Sequence, residues 1–147
     1  MSQLTVLICT HNRAGLLERV LASLNAAKRP VMPVQVLVAA NACSDNTLAH
    51  MQAYQSQQAD KAWLPLRVLD VPTPGKSHAL NRAFPEIDTE LVAFVDDDHR
   101  VDENYLVAIE KAVQAWPDAG LYCGRILPDW DGTEPVWVHD EGPYRIY

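Results

Sequence analysis

Leu91-Val92-Ala93-Phe94-Val95-Asp96-Asp97-Asp98 is the stretch on which the reading of this chain turns. Its apolar half reads as a buried strand, expected over residues 90–95, that delivers carboxylates to the edge of a sheet. Residues i and i+2 of an extended chain point the same way, so Asp96 and Asp98 address one site and Asp97 points elsewhere. Three adjacent carboxylates repel one another, and a shared cation with oxygen ligands explains their close packing. The alternative is a solvated acidic turn that caps the next helix. His99 could be a further ligand or flank that turn, and the flanking reading is preferred.

Working outward, strands alternate with helices. Residues 4–9 form a β-type run, and residues 14–27 place Leu16, Leu17, Val20, Leu21 and Leu24 on one helical face, with Asn12 as the expected N-cap. Residues 34–39 are a second strand, followed by a helix over 45–57 capped by Ser44 or Asp45. Residues 66–71 form a third strand, and the Pro72-Thr73-Pro74-Gly75 loop leads into a helix over 76–84. A helix over 103–115 follows the acidic strand, and Gly120-Leu121-Tyr122-Cys123 reads as a fifth strand. This alternation predicts an α/β fold, a three-layer α/β/α sandwich around a mostly parallel sheet. Ligands of such sheets bind beyond the carboxyl ends of the strands, at the switch in strand order. The polar segments 10–13, 41–45 and 96–99 are therefore expected on one rim. Regularity fails after Gly124, where Pro128, Pro135, Pro143 and two of the four tryptophans fall. Residues 1–124 are read as one α/β domain and 125–147 as an irregular segment.

Composition narrows the classes. With 147 residues, 48% hydrophobic and 21% charged, the chain suits one domain with a substantial core. A net charge of -7 offers no basic field for a nucleic-acid backbone. No apolar stretch approaches the roughly 20 residues of a membrane helix, and the N-terminus lacks a signal-peptide pattern. Cys9, Cys43 and Cys123 are an odd, scattered set, which favours a reducing compartment. A cytoplasmic chain is expected, with docking to the inner face of a membrane compatible with it. Apolar residues around Trp130 and Trp137 would suit a missing half or another subunit, such as a homo-oligomer.

Beyond the acidic stretch, Thr10-His11-Asn12-Arg13 lies where the first strand turns into a helix, a place for an anion, with Arg13 adding charge. A capped helix with a solvated arginine explains the same residues. Asn41 could read a base or ribose edge with its amide, although turn and cap chemistry also accounts for Asn41, Ser44 and Asp45. Lys76 opens a helix, where the dipole prefers anions, so a ligand role explains it better than stability. The full phosphate-loop pattern and the glycine-rich dinucleotide fingerprint are both absent.

Together these segments resemble family 2 of the GT-A glycosyltransferases, which use nucleotide-diphosphate sugars. The resemblance runs through residues 6–13, 38–47 and 75–81 and culminates in Phe94-Val95-Asp96-Asp97-Asp98, similar to the family's D-x-D motif. It implies that Thr10, Asn12, Arg13, Asn41, Lys76, Asp96 and Asp97 line the nucleotide-sugar pocket. Lys76 would approach the base or diphosphate, Asp96 the ribose, and Asp98 would hold Mg²⁺ or Mn²⁺ against the diphosphate. The resemblance also implies transfer, with inversion, from a UDP-sugar to a glycan, lipid or small-molecule acceptor. Many relatives carry a base-reading acid where this chain has Ala40, a departure that bears on base selectivity. Gly124-Arg125-Ile126-Leu127-Pro128 is similar to the start of the acceptor side in some relatives. The family's catalytic carboxylate lies in a later motif; Asp140 and Glu141 are the candidate base here, in a context that does not match. The expectation is therefore the donor-binding half of a longer enzyme. Two alternatives are a nucleotide-sugar binding module without turnover and a phosphotransferase with Asp96 as nucleophile. Arg100 stands where the latter class usually has Thr or Val. A receiver-like signalling domain would need an acidic pair where Thr10 and His11 stand.

Overall fold

The computed structural model describes residues 2–129. Its elements are β1 (Leu4–Thr10), α1 (Ala14–Ala26), β2 (Val34–Asn41), α2 (Thr47–Gln57), β3 (Leu66–Val71), α3 (Lys76–Ala83), a 3-10 turn (Phe84–Glu86), β4 (Leu91–Phe94) and α4 (Tyr105–Ala115). The four strands form one parallel sheet in the order β3-β2-β1-β4. Leu4 pairs with Val34 on one side and Leu91 on the other, which puts the carboxyl ends of β1 and β4 side by side. The strand order reverses between these two, so the crevice for a ligand opens there.

Alternation along β1 divides the core. Leu4, Val6 and Ile8 face a cluster built from Leu17, Val20 and Leu24 of α1, Met51 and Tyr54 of α2, and Leu106 of α4. Leu7 faces the other way, onto Leu37, Ala39, Val71, and Ala79 and Ala83 of α3. Three layers result, with α3 alone on its face. Small Ala79 and Ala83, both fully buried, let this short polar helix lie close to the sheet.

The α/β/α architecture is as expected, and element ends differ by one to two residues. Four expectations fail. Strand β4 is not buried: Leu91, Val92 and Ala93 are half-buried and Phe94 is exposed, because β4 lies at the edge of the described sheet and pairs with β1 alone. The N-cap position of α2 is held by Asn46, not by Ser44 or Asp45. Gly120–Cys123 forms no strand; it is irregular and Leu121 is exposed. Three non-glycine residues between Gly120 and Gly124 are too few to define a buried face. Asn12 does not cap α1: Arg13 holds the N-cap position and no side chain makes a cap hydrogen bond. Asn12 instead takes a left-handed conformation, φ 51°, which asparagine tolerates better than most residues. Its Oδ1 accepts from the backbone N–H of Ser44 at 2.7 Å and of Asp45 at 3.2 Å, and its Nδ2 donates to Ser44 Oγ. It latches the loop after β1 to the loop after β2. Helix α2 starts at Thr47 because Asp45 accepts from both the backbone N–H and the hydroxyl of Thr47.

The described residues fall into two units, residues 2–115 and 116–129. In the described part of the second, the Tyr122 hydroxyl donates to the Trp116 carbonyl. Trp130, Trp137, Asp140 and Glu141 lie outside the described residues.

Candidate functional site

Beyond the ends of β1, β2 and β4 lies an open cleft of about 310 Å³ lined by Cys9, Thr10, His11, Arg13, Asn41, Lys76 and Asp96–Asp98. The three aspartates divide between inside and outside, although β4 ends at Phe94 and Asp97 and Asp98 lie in a turn. Asp97 turns inward and is 6% exposed, whereas the side chains of Asp96 and Asp98 are 53% and 54% exposed. A buried carboxylate needs partners, and Asp97 has two. The Thr10 hydroxyl donates to its Oδ2 at 2.8 Å, and Arg13 Nη1 reaches its Oδ1 at 3.1 Å. Asp97 thus ties the end of β1 and the start of α1 to the turn after β4, and the hydrogens of Thr10 and Arg13 that bind it serve the framework.

Asp96 and Asp98 face the open side. Lys76 Nζ donates to Asp96 Oδ1 at 2.7 Å, and Arg13 Nη1 lies 3.8 Å from Asp98 Oδ2. The Lys76 hydrogen bond holds the Asp96 carboxyl below the usual aspartate range, and the same bond raises the Lys76 ammonium above its ordinary value. The chain reverses at once, with the His99 N–H donating to the Asp96 carbonyl. That turn returns the imidazole, and one ligand atom each from Asp96, Asp98 and His99 lie within 4.8 Å of one another. The sequence left His99 between a further ligand and a flank of the turn. The signal was its place three residues after Asp96, the span of a closed turn. Two exposed carboxylates beside one imidazole suit a hard divalent ion.

Asn41 is built in. Its Nδ2 donates to the carbonyls of Val71 and Thr73, and its Oδ1 accepts from the Gly75 N–H at 2.8 Å. Both amide hydrogens are therefore spent on the loop between β3 and α3. This loop needs glycine: Gly75 has φ 126°, a region closed to side chains, and it places Lys76 at the first turn of α3. His11 Nδ1 donates to the Asn41 carbonyl at 2.7 Å, because a carbonyl can only accept. Burial pushes the Cys9 thiol up, so it stays protonated and carries no thiolate chemistry at neutral pH. Ala40, at the position of the absent acid, is fully buried.

A parallel sheet with this strand order is a doubly wound α/β sheet with its ligand crevice between β1 and β4, and its neighbours among solved structures have the GT-A fold. The chain belongs to glycosyltransferase family 2: the family model described as Glycosyl transferase family 2 matches residues 5–147. No curated protein matches the chain. Among solved structures, the mannosyltransferase PcManGT of Pyrobaculum calidifontis, in complex with GDP-Man and Mn²⁺, is 26% identical with a TM-score of 0.67, over 80% of this chain and 33% of its own. S. aureus TarS in complex with UDP-GlcNAc is 24% identical with a TM-score of 0.65, over 86% of this chain and 37% of its own. Glucosyl-3-phosphoglycerate synthase of M. tuberculosis, with Mn²⁺, UDP and phosphoglyceric acid, is 19% identical with a TM-score of 0.55, over 81% and 40%. This chain thus spans about a third to two fifths of the length of these structures. Membership of this family replaces the phosphotransferase reading of Asp96. Among the described residues no helix is long and apolar enough to cross a membrane.

Proposed function

We propose that this chain is the donor-binding part of a metal-dependent glycosyltransferase that takes a nucleotide-diphosphate sugar, with UDP as its nucleotide. The observation that carries the reading is the outward pair Asp96 and Asp98, gathered with His99 within 4.8 Å and faced by the cations Lys76 and Arg13. PcManGT, whose structure holds GDP-Man and Mn²⁺, supports the ion and the nucleotide sugar, and TarS in complex with UDP-GlcNAc supports UDP.

Asp98 is the principal ligand of Mg²⁺ or Mn²⁺, with Asp96 and His99 beside it. A bound divalent ion would neutralise charge on the departing nucleoside diphosphate. The chain's own groups do the remainder. Arg13, half-exposed at the N-cap of α1, presents positive charge to the diphosphate beside the positive end of that helix. Lys76 does the same from α3. Asp97 and Thr10 hold Arg13 in place, Asn12 holds the two rim loops together, and Asn41 positions the turn that aims Lys76. Asn12, Asn41 and Asp97 thereby serve the pocket as positioning residues. Inverting transfer needs a carboxylate to take the acceptor hydroxyl proton; Asp140 and Glu141 are the candidates within this chain.

Titration calorimetry of a UDP-sugar with Mn²⁺ tests the reading. Binding is expected for the wild type and lost in Asp98→Ala, with the melting temperature of the variant unchanged because the side chain is exposed. Equal Mn²⁺-dependent affinity in the variant would refute the assignment. A second reading is a nucleotide-sugar binding module without turnover. Sugar transfer and donor hydrolysis assays separate the two, since binding with neither activity supports the module.

A further inference from the structure

The charge balance of the cleft leads beyond donor binding. Three carboxylates (Asp96, Asp97, Asp98) meet two cations, Arg13 and Lys76. Arg13 is anchored to the buried Asp97 at 3.1 Å and lies 3.8 Å from Asp98. Lys76 is different. It pairs with the exposed Asp96, at 2.7 Å, and its side chain is 63% exposed. Its flexible stem starts at the first turn of α3, where positive charge is not helped by the helix dipole. It sits on an oxygen of the same cluster that suits a divalent ion.

We propose that Lys76 is a resident counter-cation of Asp96, which a divalent ion displaces and a nucleotide diphosphate then captures, so that ion and nucleotide bind with positive coupling. The proposal rests on the donor-binding reading above. Lys76 and the ion compete for one carboxylate, since two cations crowded on one oxygen repel. Lys76 and the diphosphate attract, yet the ammonium cannot serve Asp96 and a diphosphate fully at once. Either ligand alone works against the Lys76–Asp96 bond. Together they share the cost of breaking it, and by linkage each tightens the other by the same factor. Arg13 cannot play this part, because leaving Asp97 would strand a buried charge.

Mn²⁺ binding, read by electron paramagnetic resonance of the free ion, tests the exchange without any activity assay. The full chain is titrated with Mn²⁺ alone and again with saturating UDP. In the wild type, weak Mn²⁺ binding is expected to tighten when UDP is present. In Lys76→Met, Mn²⁺ alone is expected to bind about three- to tenfold more tightly than in the wild type, the scale of an exposed ion pair plus a nearby charge. The same variant is expected to bind UDP more weakly and to lose most of the coupling. Lys76→Arg keeps the charge and is expected to keep the weak binding of Mn²⁺ alone. Arg82→Gln removes a positive charge from the same helix, where Arg82 pairs with Glu86, and is expected to leave Mn²⁺ affinity unchanged. If Lys76→Met binds Mn²⁺ no better, or retains full coupling, the exchange is overturned while the donor reading stands. If the wild type binds no Mn²⁺ with or without UDP, both fall. A gain in Arg82→Gln equal to that in Lys76→Met would reduce the effect to net charge and overturn the specific role of Lys76.

Discussion

Two concavities in the first compact unit differ in an instructive way. The groove between α1 and α2 holds about 780 Å³ and is walled by Leu21, Met51, Tyr54, Trp63 and several alanines. The cleft at the β1–β4 crevice holds about 310 Å³ and is lined by charge. Size favours the groove; chemistry favours the cleft. In the groove the polar groups are occupied with one another: Glu18 pairs with His50, Asn25 donates to the Tyr54 hydroxyl, and Tyr54 stacks on Trp63. In the cleft, Asp96, Asp98 and Lys76 keep exposed faces toward one space. Convergent polar groups with accessible surface locate a ligand site better than volume does.

That contrast can be broken or sharpened by substitution. The largest effect is expected on the groove side. Met51→Ala removes a fully buried side chain, so chemical denaturation should show a loss of about 3 kcal/mol with nucleotide affinity unchanged. Weakened UDP binding in the folded variant would erase the distinction between the two regions. On the cleft side, Asp97→Ala leaves the Thr10 hydroxyl without its acceptor and frees Arg13. A loss of about 2 kcal/mol is expected, and, unlike Met51→Ala, nucleotide binding should fall as well. Retained affinity would show that Arg13 needs no anchor.

Acid should distinguish the regions too. Asp96 is held below its ordinary value by Lys76, and Asp45 by the Thr47 hydroxyl. A carboxyl with a depressed folded value stabilises above its unfolded value and loses that contribution as pH falls through the folded one. Stability at the rim should therefore hold at neutral pH and decline only below the ordinary aspartate range. Lys76→Met should move that decline in the binding curve upward in pH, a shift that a fluorescence titration with UDP would detect. The smallest effect is expected at Ala42, which sits in the rim loop after β2 at φ 48°. Glycine adopts that conformation freely, so Ala42→Gly is expected to stabilise by about 0.5 kcal/mol. A lower melting temperature would show that the left-handed turn there carries no strain.

Much of this was legible because it is local. The runs of β1 to β4 and the leucines of α1 specify strands and a helix by spacing alone, and the alternation through Val95, Asp96, Asp97 and Asp98 separates inward from outward carboxylates. What stayed hidden depends on partners far along the chain. Nothing near Asn12 announces that it will bind Ser44 and Asp45, so a cap was the natural reading. Nothing near Asn41 shows that Val71, Thr73 and Gly75 will consume its amide. The false strand at Gly120–Cys123 is the converse error: an apolar trio predicts a ladder only where a neighbouring edge receives it.

The strand order carries a consequence for synthesis. Thr10 and Asp97 are 87 residues apart in the chain, yet share one hydrogen bond. A nascent polypeptide that has released β1, β2 and β3 can assemble three quarters of the sheet with β1 at its margin. Half of the sugar-nucleotide pocket is still inside the ribosome at that moment. Asp96, Asp97 and Asp98 join the cleft only when β4 adds to that margin, so ligand capture is expected to report the docking of β4.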